Sequence, residues 1–373
     1  MYEPLSLGDA FGELSDPRAR EPEHKLTEML VVAIAAILSG ADSWVAISLW
    51  GEAKIDWLRR HMPLTNGVAS HDTFGRVFAA LDAKQFEACF IKWVSSLCPG
   101  VTGKVVAIDG KSVRRSHALG KRAIHLVSAY CGALGVTLGQ VKTEAKSNEI
   151  TAIPELLDGL LLKGAIVTID AMGTQEKIAQ KIVAGEAHYV LAVKDNQPGL
   201  YEELAELFAA HDAKRLRTVR FAQCTDIEKD HGRIETRRCV VSEDIGWLEQ
   251  GTRWAGLRSV AMVESTRDIA GERSLERRYY ISTLPAEPKR IAAAIRGHWA
   301  IENSMHWVLD VAFGEDDCRV RVQNAAQNFA ILRRIVLNLL RADHSVKVGV
   351  RNKRLKAGAD DLYRARILGL PCS

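Results

Sequence analysis

Three acidic residues stand out by their chemical type and by their positions along the chain. Asp109 ends an apolar run that starts at Val105, and Asp170 ends a similar run that starts at Ile166. Glu302 lies midway along a helix-like stretch. A carboxylate at the end of a buried strand is costly unless it is paired or bound to a metal. Because carboxylate oxygens suit Mg²⁺ or Mn²⁺, these acids predict a site with two metal ions that flank a displacement at phosphorus.

Each of these acids also has an ordinary explanation when it is taken alone. Asp109 and Asp170 fit strand-to-turn aspartates, which are common, and Glu302 fits a surface glutamate on a helix. The three together, in this order on this strand pattern, are far rarer than any one of them. Gly110 and Lys111 follow Asp109, so we expect the backbone to permit a close approach of a phosphate and Lys111 to contact it.

The apolar pattern after residue 104 predicts the element order β-β-β-α-β-α-β. Three strands in a meander, followed by two βα units, is the order of a ribonuclease-H-like domain. In that fold the first and fourth strands are neighbours in the sheet. Asp109 and Asp170 should therefore meet at the same strand ends.

The predicted fold class is α/β (α+β), with a ribonuclease-H-like catalytic domain that a β-rich insertion divides. An all-helical N-terminal domain for DNA binding or dimerisation precedes it, and a basic tail follows. The predicted boundaries are 1–102 for the helical domain, 103–214 for the first catalytic part, 215–284 for the insertion, 285–345 for the second catalytic part with the Glu302 helix, and 346–373 for the tail.

Composition limits the class of protein. The chain has 373 residues, of which 47% are hydrophobic, so it can bury a sizeable core. A net charge of +4 permits a polyanionic partner without demanding one. The seven cysteines are never spaced C-x-x-C, which argues against a disulfide framework and a structural zinc site. No signal peptide is visible and no apolar run is long enough for a membrane span, so we expect a soluble cytoplasmic protein.

A second kind of metal site has to be weighed around Glu302. His298, Glu302 and His306 are spaced four apart, which would place them on one helical face as zinc ligands of a hydrolase. The zincin spacing H-E-x-x-H is absent, however. Arg296 and His298 are the better candidates for contacts to DNA phosphates beside the acidic cluster.

Further DNA contacts are predicted outside the acidic cluster. Lys194 and Gln197 follow the fifth strand, where they would reach the DNA strand being cut. Ser70 is a plausible N-cap of a helix that would present His71 and Arg76 to a groove, as in a helix-turn-helix. A helical bundle that only packs or dimerises fits these residues equally well. The basic tail is either a solvated charge run or a contact to the DNA backbone.

At these residues the chain resembles DDE-type insertion-sequence transposases, and more narrowly the group that includes the H-repeat-associated proteins of bacteria. The matching segments span nearly the whole chain. They are Asp16-Pro17-Arg18, His24-Lys25-Leu26, Ser70-His71-Asp72-Thr73-Phe74, Ala107-Ile108-Asp109-Gly110-Lys111, Thr168-Ile169-Asp170-Ala171-Met172-Gly173-Thr174-Gln175, Val193-Lys194-Asp195-Asn196-Gln197 and the run from Arg296 to Asp310.

The resemblance implies two Mg²⁺ or Mn²⁺ ions and cut-and-join chemistry at transposon ends. Asp109, Asp170 and Glu302 match the family's catalytic triad. It also implies DNA partners, namely terminal inverted repeats and a target, a homodimer on DNA, and a place at the bacterial nucleoid. A DNA-binding protein that has lost mobility is the alternative.

One family pattern is not met. Many related transposases surround the glutamate with Tyr, Arg and Lys in the spacing Y-x2-R-x3-E-x6-K. This chain has Ile295, His298 and Leu309 at those places, so only the glutamate is carried over.

Overall fold

The structure is a computed structural model that describes residues 5–98, 100–117, 122–143, 149–216, 218–230, 233–269 and 272–371. The fold is mixed α/β. Its strands are β1 (Val105–Ser112), β2 (His125–Cys131), β3 (Val136–Thr143), β4 (Ile166–Ile169), β5 (His188–Val193), β6 (Ala222–Asp230), β7 (Arg233–Ser242), β8 (Ser259–Ile269) and β9 (Glu272–Ser282).

Helices precede the strands, alternate with them and follow them. None of the helices within the described ranges is long and apolar enough to cross a membrane. The helices are α1 (Leu7–Phe11), α2 (Leu26–Leu38), α3 (Trp44–Ala53), α4 (Ile55–Leu58), α5 (His71–Ala80), α6 (Ala83–Leu97), α7 (Glu149–Gly159), α8 (Glu176–Ala184), α9 (Pro198–Asp212), α10 (Pro288–His298), α11 (Trp307–Phe313), α12 (Ala325–Ala342), α13 (Val350–Ala359) and α14 (Asp361–Ile367).

The nine strands form one sheet with the order β3-β2-β1-β4-β5-β9-β8-β7-β6. β1, β4 and β5 are parallel, whereas β2 pairs antiparallel with β3. The prediction that the first and fourth strands of the chain are neighbours is confirmed. The predicted end of the first strand is wrong, because β1 continues past Asp109 to Ser112.

The chain divides into two compact units. The helical unit comprises residues 1–100, 110–148 and 301–373, and the sheet unit comprises 101–109 and 149–300. The N-terminal helices share their unit with segments from the middle and the end of the chain, and the predicted domain boundaries remain a prediction.

The sheet unit explains the β-rich segment that was predicted as an insertion. β9 pairs antiparallel with β5, and β8, β7 and β6 follow in an antiparallel ribbon. These four strands therefore extend the parallel sheet. α10 packs on them through Ile291, Ala294 and Ile295, which share an apolar cluster with Val241 and Ala261.

In the helical unit α12 is the central helix. It is buried on nearly every side, and its buried residues include polar and charged ones such as Asn328, Arg334 and Asn338. It contacts α2, α5, α6 and β3. Asn328, with no exposed surface, donates from its side chain to the backbone oxygens of Phe78 and Leu81, so it closes the C-terminal end of α5.

The segment predicted as a basic tail folds as α13 and α14, and three of its cations are buried. Lys353 donates to the backbone oxygen of Leu340, and Arg354 donates to that of Ile37. The Arg364 guanidinium lies over the Trp57 ring, 4.0 Å from its centre. For these three residues the prediction of a solvated run is wrong, because backbone carbonyls, the Asp42 and Asp361 carboxylates and an aromatic face bind the charges.

Candidate active site

Asp109 and Asp170 lie side by side in the sheet unit. The parallel register of β1 and β4 pairs Val106 with Val167 and continues to the pair Ile108–Ile169. Asp109 directly follows Ile108, and Asp170 directly follows Ile169. Both side chains are partly exposed, so a solvated ion could reach them. The fold thus brings two carboxylates from distant parts of the sequence to one edge of a buried parallel pair.

The turn after β4 fixes the Asp170 carboxylate. The Gly173 backbone N–H donates to Asp170 Oδ1 at 3.2 Å. A Cβ atom on Gly173 would lie 2.3 Å from Ile169 Cγ2, so no larger residue fits without moving the turn. The Thr174 hydroxyl donates to the backbone oxygen of Ala192 at 2.6 Å, which ties this turn to the end of β5.

His298 lies beside Asp170, at the C-terminal end of α10. Its Nδ1 is 3.1 Å from the Thr168 hydroxyl on β4. Burial lowers the pKa of His298, and the nearby Asp170 charge only partly opposes this. The imidazole is therefore neutral at pH 7. A Cβ on Gly297 would be 3.2 Å from Val105 Cγ1, so glycine allows α10 to approach β1 closely.

The turn after β5 contains both residues that were predicted to contact the DNA strand being cut. Lys194 is exposed. Gln197 is partly buried and donates from Nε2 to the backbone oxygen of Thr174 at 3.0 Å. Asn196 donates in the same way to the backbone oxygen of Ala171. Lys194 is therefore available to a ligand, while Gln197 mainly holds the turn that follows Asp170.

Arg296 is exposed, but acids of the ribbon engage it. Its guanidinium forms an ion pair with Glu228 and lies 3.8 Å from Asp226, both on β6. Arg237 also pairs with Glu228, at 2.8 Å. A phosphate that binds Arg296 would have to compete with these carboxylates.

Glu302 lies in the helical unit, within a π-helical segment that spans Ile301–His306. The helix predicted to carry Glu302 is interrupted near Trp299, and the chain then continues through the π-helical segment into α11. A π-helix has a wider turn than an α-helix, so the angle between residues four apart differs from the one assumed for a regular α-helix. Single π turns are rare and occur often at functional sites.

Lys111, in the helical unit, is surrounded by carboxylates. Its Nζ lies 2.6 Å from Asp310, 2.9 Å from Asp316 and 3.4 Å from Glu315. Only 10% of the side chain is exposed. Burial alone would lower the pKa of Lys111, but these acids raise it. These ion pairs hold Lys111 among acids of the helical unit, and its contact to a phosphate remains a prediction.

The zinc alternative gains no support from the described residues. Among them no group of three His, Cys, Asp or Glu side chains converges as a metal site, and this holds for Asp109, Asp170 and Glu302 as well as for the zinc candidates. His306 is buried, and burial, with Arg334 adding to the effect, lowers the pKa of His306 to about 3. It is thus a neutral residue of the helical core.

His71 and Arg76 lie on α5 as predicted, and both are exposed. The Ser70 side chain accepts from the Thr73 backbone N–H at 3.3 Å, which confirms the predicted N-cap. His71 Nε2 is 3.5 Å from Asp72, and Arg76 donates weakly to the Thr73 hydroxyl. The helix preceding α5 in the chain, α4, has only four residues. The contact to a DNA groove remains a prediction.

Sequence reasoning missed the most deeply buried ion pair of the helical unit. Arg334 Nη1 lies 3.0 Å from Glu315 Oε1, and neither side chain is exposed. The signal was an arginine pair, Arg333-Arg334, between two apolar runs of α12, 329–332 and 335–337. Charges in such a place need partners.

Comparison with known proteins gives two family models. The one described as DDE_Tnp_1-associated matches residues 8–94, and the one described as Transposase DDE domain matches residues 101–339. Three similar proteins come from Escherichia coli. YncI of strain O157:H7, which carries the name of a transposase, is 41% identical over 97% of this chain and 94% of its own. YbfL of strain K12 is 40% identical over 94% of each chain. The H repeat-associated YhhI of strain K12 is 40% identical over 93% of each.

Proposed function

We propose that this chain, which belongs to the DDE transposase family, cleaves the ends of a mobile DNA element and joins them to target DNA. The observation that carries the proposal is the register of β1 and β4, which sets Asp109 beside Asp170. Glu302 completes the set of acids in the proposal. Its π-helical segment is the kind of local irregularity that accompanies functional residues.

The catalytic fold we propose is ribonuclease-H-like. Two features support this assignment: the meander of β1, β2 and β3 in sequence, and the order β3-β2-β1-β4-β5 in the sheet. β6 to β9 would be the addition that this chain makes to that core.

The donor set suits hard divalent cations. Asp109, Asp170 and Glu302 would hold two Mg²⁺ or Mn²⁺ ions through carboxylate oxygens, the ligands that these ions prefer. When bound, such ions activate water or a 3′-hydroxyl and neutralise charge that develops at phosphorus. Gly173 holds Asp170 in position through its backbone N–H.

His298 has a different part in this proposal from the one its sequence position suggested. A neutral imidazole, fixed through Nδ1 by Thr168, can donate from Nε2 to a phosphate oxygen but brings no charge. The charged contacts to the DNA backbone near Asp170 would then come from Lys194 and, after it leaves Glu228, from Arg296.

End recognition and assembly belong to the same proposal. Exposed His71 and Arg76 on α5 would contact terminal-repeat DNA. Cutting two ends in concert needs two active sites, so the working form would be a homodimer on DNA in the bacterial nucleoid.

Binding of the purified protein to duplexes from the DNA that flanks its gene tests this function. Phosphate contacts release counterions, so the logarithm of the association constant should fall linearly with that of salt, by about 0.9 per phosphate contacted. With Mg²⁺ the protein should also nick the repeat end and leave a 3′-hydroxyl. A slope near zero would contradict the proposal that DNA is the substrate. Steep salt dependence without cleavage in Mg²⁺ or Mn²⁺ would instead indicate an inactive DNA-binding relative.

A further inference from the structure

Two cysteines face each other across the outer strands of the sheet unit. β6 and β7 are antiparallel, and their register places Cys224 directly opposite Cys239. Opposed residues in such a pair have Cα atoms about 4.5–5.5 Å apart, within the range of about 4.4–6.8 Å found for disulfides. Among the cysteines in the described ranges, these two alone face each other on paired strands.

The two thiols already contact each other in the reduced protein. A side-chain hydrogen bond joins them, and both sulfurs lie in the apolar cluster beneath α10. Cys239 is 2% exposed, whereas Cys224 is partly exposed at the edge of the sheet. An oxidant in solution therefore meets Cys224 first, with Cys239 held behind it as a neighbouring nucleophile.

The thiols also differ in acidity. Burial raises the pKa of Cys239 to about 12, so this thiol is inert by itself. Burial raises the pKa of Cys224 too, but the Lys289 ammonium at the start of α10 opposes that rise. Because the thiolate is the reactive form, Cys224 is the better nucleophile of the pair.

We propose that Cys224 and Cys239 form a reversible dithiol–disulfide pair that peroxide oxidises within one chain. Peroxide oxidises the Cys224 thiol to a sulfenic acid and is reduced to water. The Cys239 sulfur then attacks Cys224 Sγ, the S–S bond forms, and the sulfenic oxygen leaves with the Cys239 proton as a second water. A thiol reductant reverses the change: it donates two electrons and two protons to the Cys224–Cys239 disulfide and is itself oxidised to a disulfide.

The disulfide would fasten the last strand of the sheet. β6 pairs on one side only, with β7, and it carries Asp226 and Glu228, which engage Arg296 of α10. Fixing Cys224 to Cys239 thus restrains the strand that holds the end of α10. We expect the oxidised protein to melt at a higher temperature than the reduced one.

The test treats the full-length reduced protein with graded hydrogen peroxide and maps the products by non-reducing peptide mass spectrometry. The expected product is a peptide pair linked through Cys224 and Cys239, formed within a monomer and removed by dithiothreitol. The variant C239A should stop at the first step, so that dimedone labels Cys224. C318A, which removes a partly exposed cysteine elsewhere, should form the linked peptides like the wild type.

Other products would overturn the inference. These are Cys224 sulfinic acid with Cys239 still a free thiol, Cys224 linked to a second chain, or both thiols unchanged when the partly exposed Cys318 is fully oxidised. The readout is covalent and needs no DNA, so it stands or falls independently of transposase activity.

Discussion

Asp109→Asn, Asp170→Asn and Glu302→Gln are each expected to abolish Mg²⁺-dependent cleavage of the element's ends. Each change keeps the volume of the side chain but removes the charge that would hold a divalent cation. A loss of about 4 kcal/mol of transition-state stabilisation corresponds to a fall of ~10³-fold in rate. Single-turnover cleavage of end-labelled duplexes measures it, and fluorescence anisotropy should show nearly unchanged DNA binding.

Asp158→Asn is the matched control for the two aspartates. Asp158 lies in the same unit, on α7, where it pairs with Lys181 at 2.6 Å and is largely exposed. The Asp158→Asn variant loses the same charge as the other two. A cleavage rate like that of the wild type would therefore show that the loss in Asp109→Asn and Asp170→Asn comes from the site itself. If Glu302→Gln cleaves at the normal rate, the assignment of the third acid is wrong.

Glu315→Gln is expected to be the most destabilising single change of charge in the helical unit. The amide cannot neutralise Arg334, which is fully buried, nor the nearby Lys111. Removing one partner of a buried ion pair typically costs about 3–5 kcal/mol, because the other charge stays buried. Urea denaturation at pH 7 measures the loss. Asp317→Asn, which alters an exposed pair with Arg115, should leave the midpoint almost unchanged.

The same pair predicts how stability depends on pH. Burial alone would raise the pKa of Glu315, but Arg334 and Lys111 outweigh it and hold the pKa at about 2, below the ordinary 4.5. A depressed carboxyl pKa contributes stability that is complete above pH 4.5 and is lost as pH falls toward 2. This lowering of the pKa of Glu315 corresponds to about 3 kcal/mol of folding stability. The difference in free energy of unfolding between the wild type and Glu315→Gln should therefore become smaller as the pH falls from 4.5 toward 2. A difference that stays constant over this range would contradict a lowered pKa for Glu315.

The meeting of the two aspartates could be predicted from sequence because each follows a short run of apolar residues, which only Thr168 interrupts. Such runs indicate buried strands, and adjacent parallel strands bring their ends together. What the pattern could not give was the length of β1, since Asp109 and Lys111 are polar residues inside a strand.

The features that sequence reasoning missed depend on residues that are distant in the sequence but in contact in the structure. Asp310, Glu315 and Asp316 reach Lys111, and nothing local to Lys111 indicates that. The π turn at Glu302 likewise has no signature in helical periodicity, which cannot separate turns of slightly different width.

The C-terminal cations show the same limit. Arg354 and Arg364 have the composition of a solvated tail, yet α2 and the Trp57 ring bind them. Only the packed structure shows which cations are left to meet a polyanion.

Metal-directed cleavage of the polypeptide tests the central claim most directly. Fe²⁺ in place of Mg²⁺, with ascorbate and peroxide, generates hydroxyl radicals that cut the backbone beside the bound ion. Our account predicts cuts next to Asp109, Asp170 and Glu302, all suppressed by excess Mg²⁺ and by the corresponding Asn and Gln variants. Cuts that spare Glu302, or that lie at other acids and persist in those variants, would contradict a metal site built from these three carboxylates.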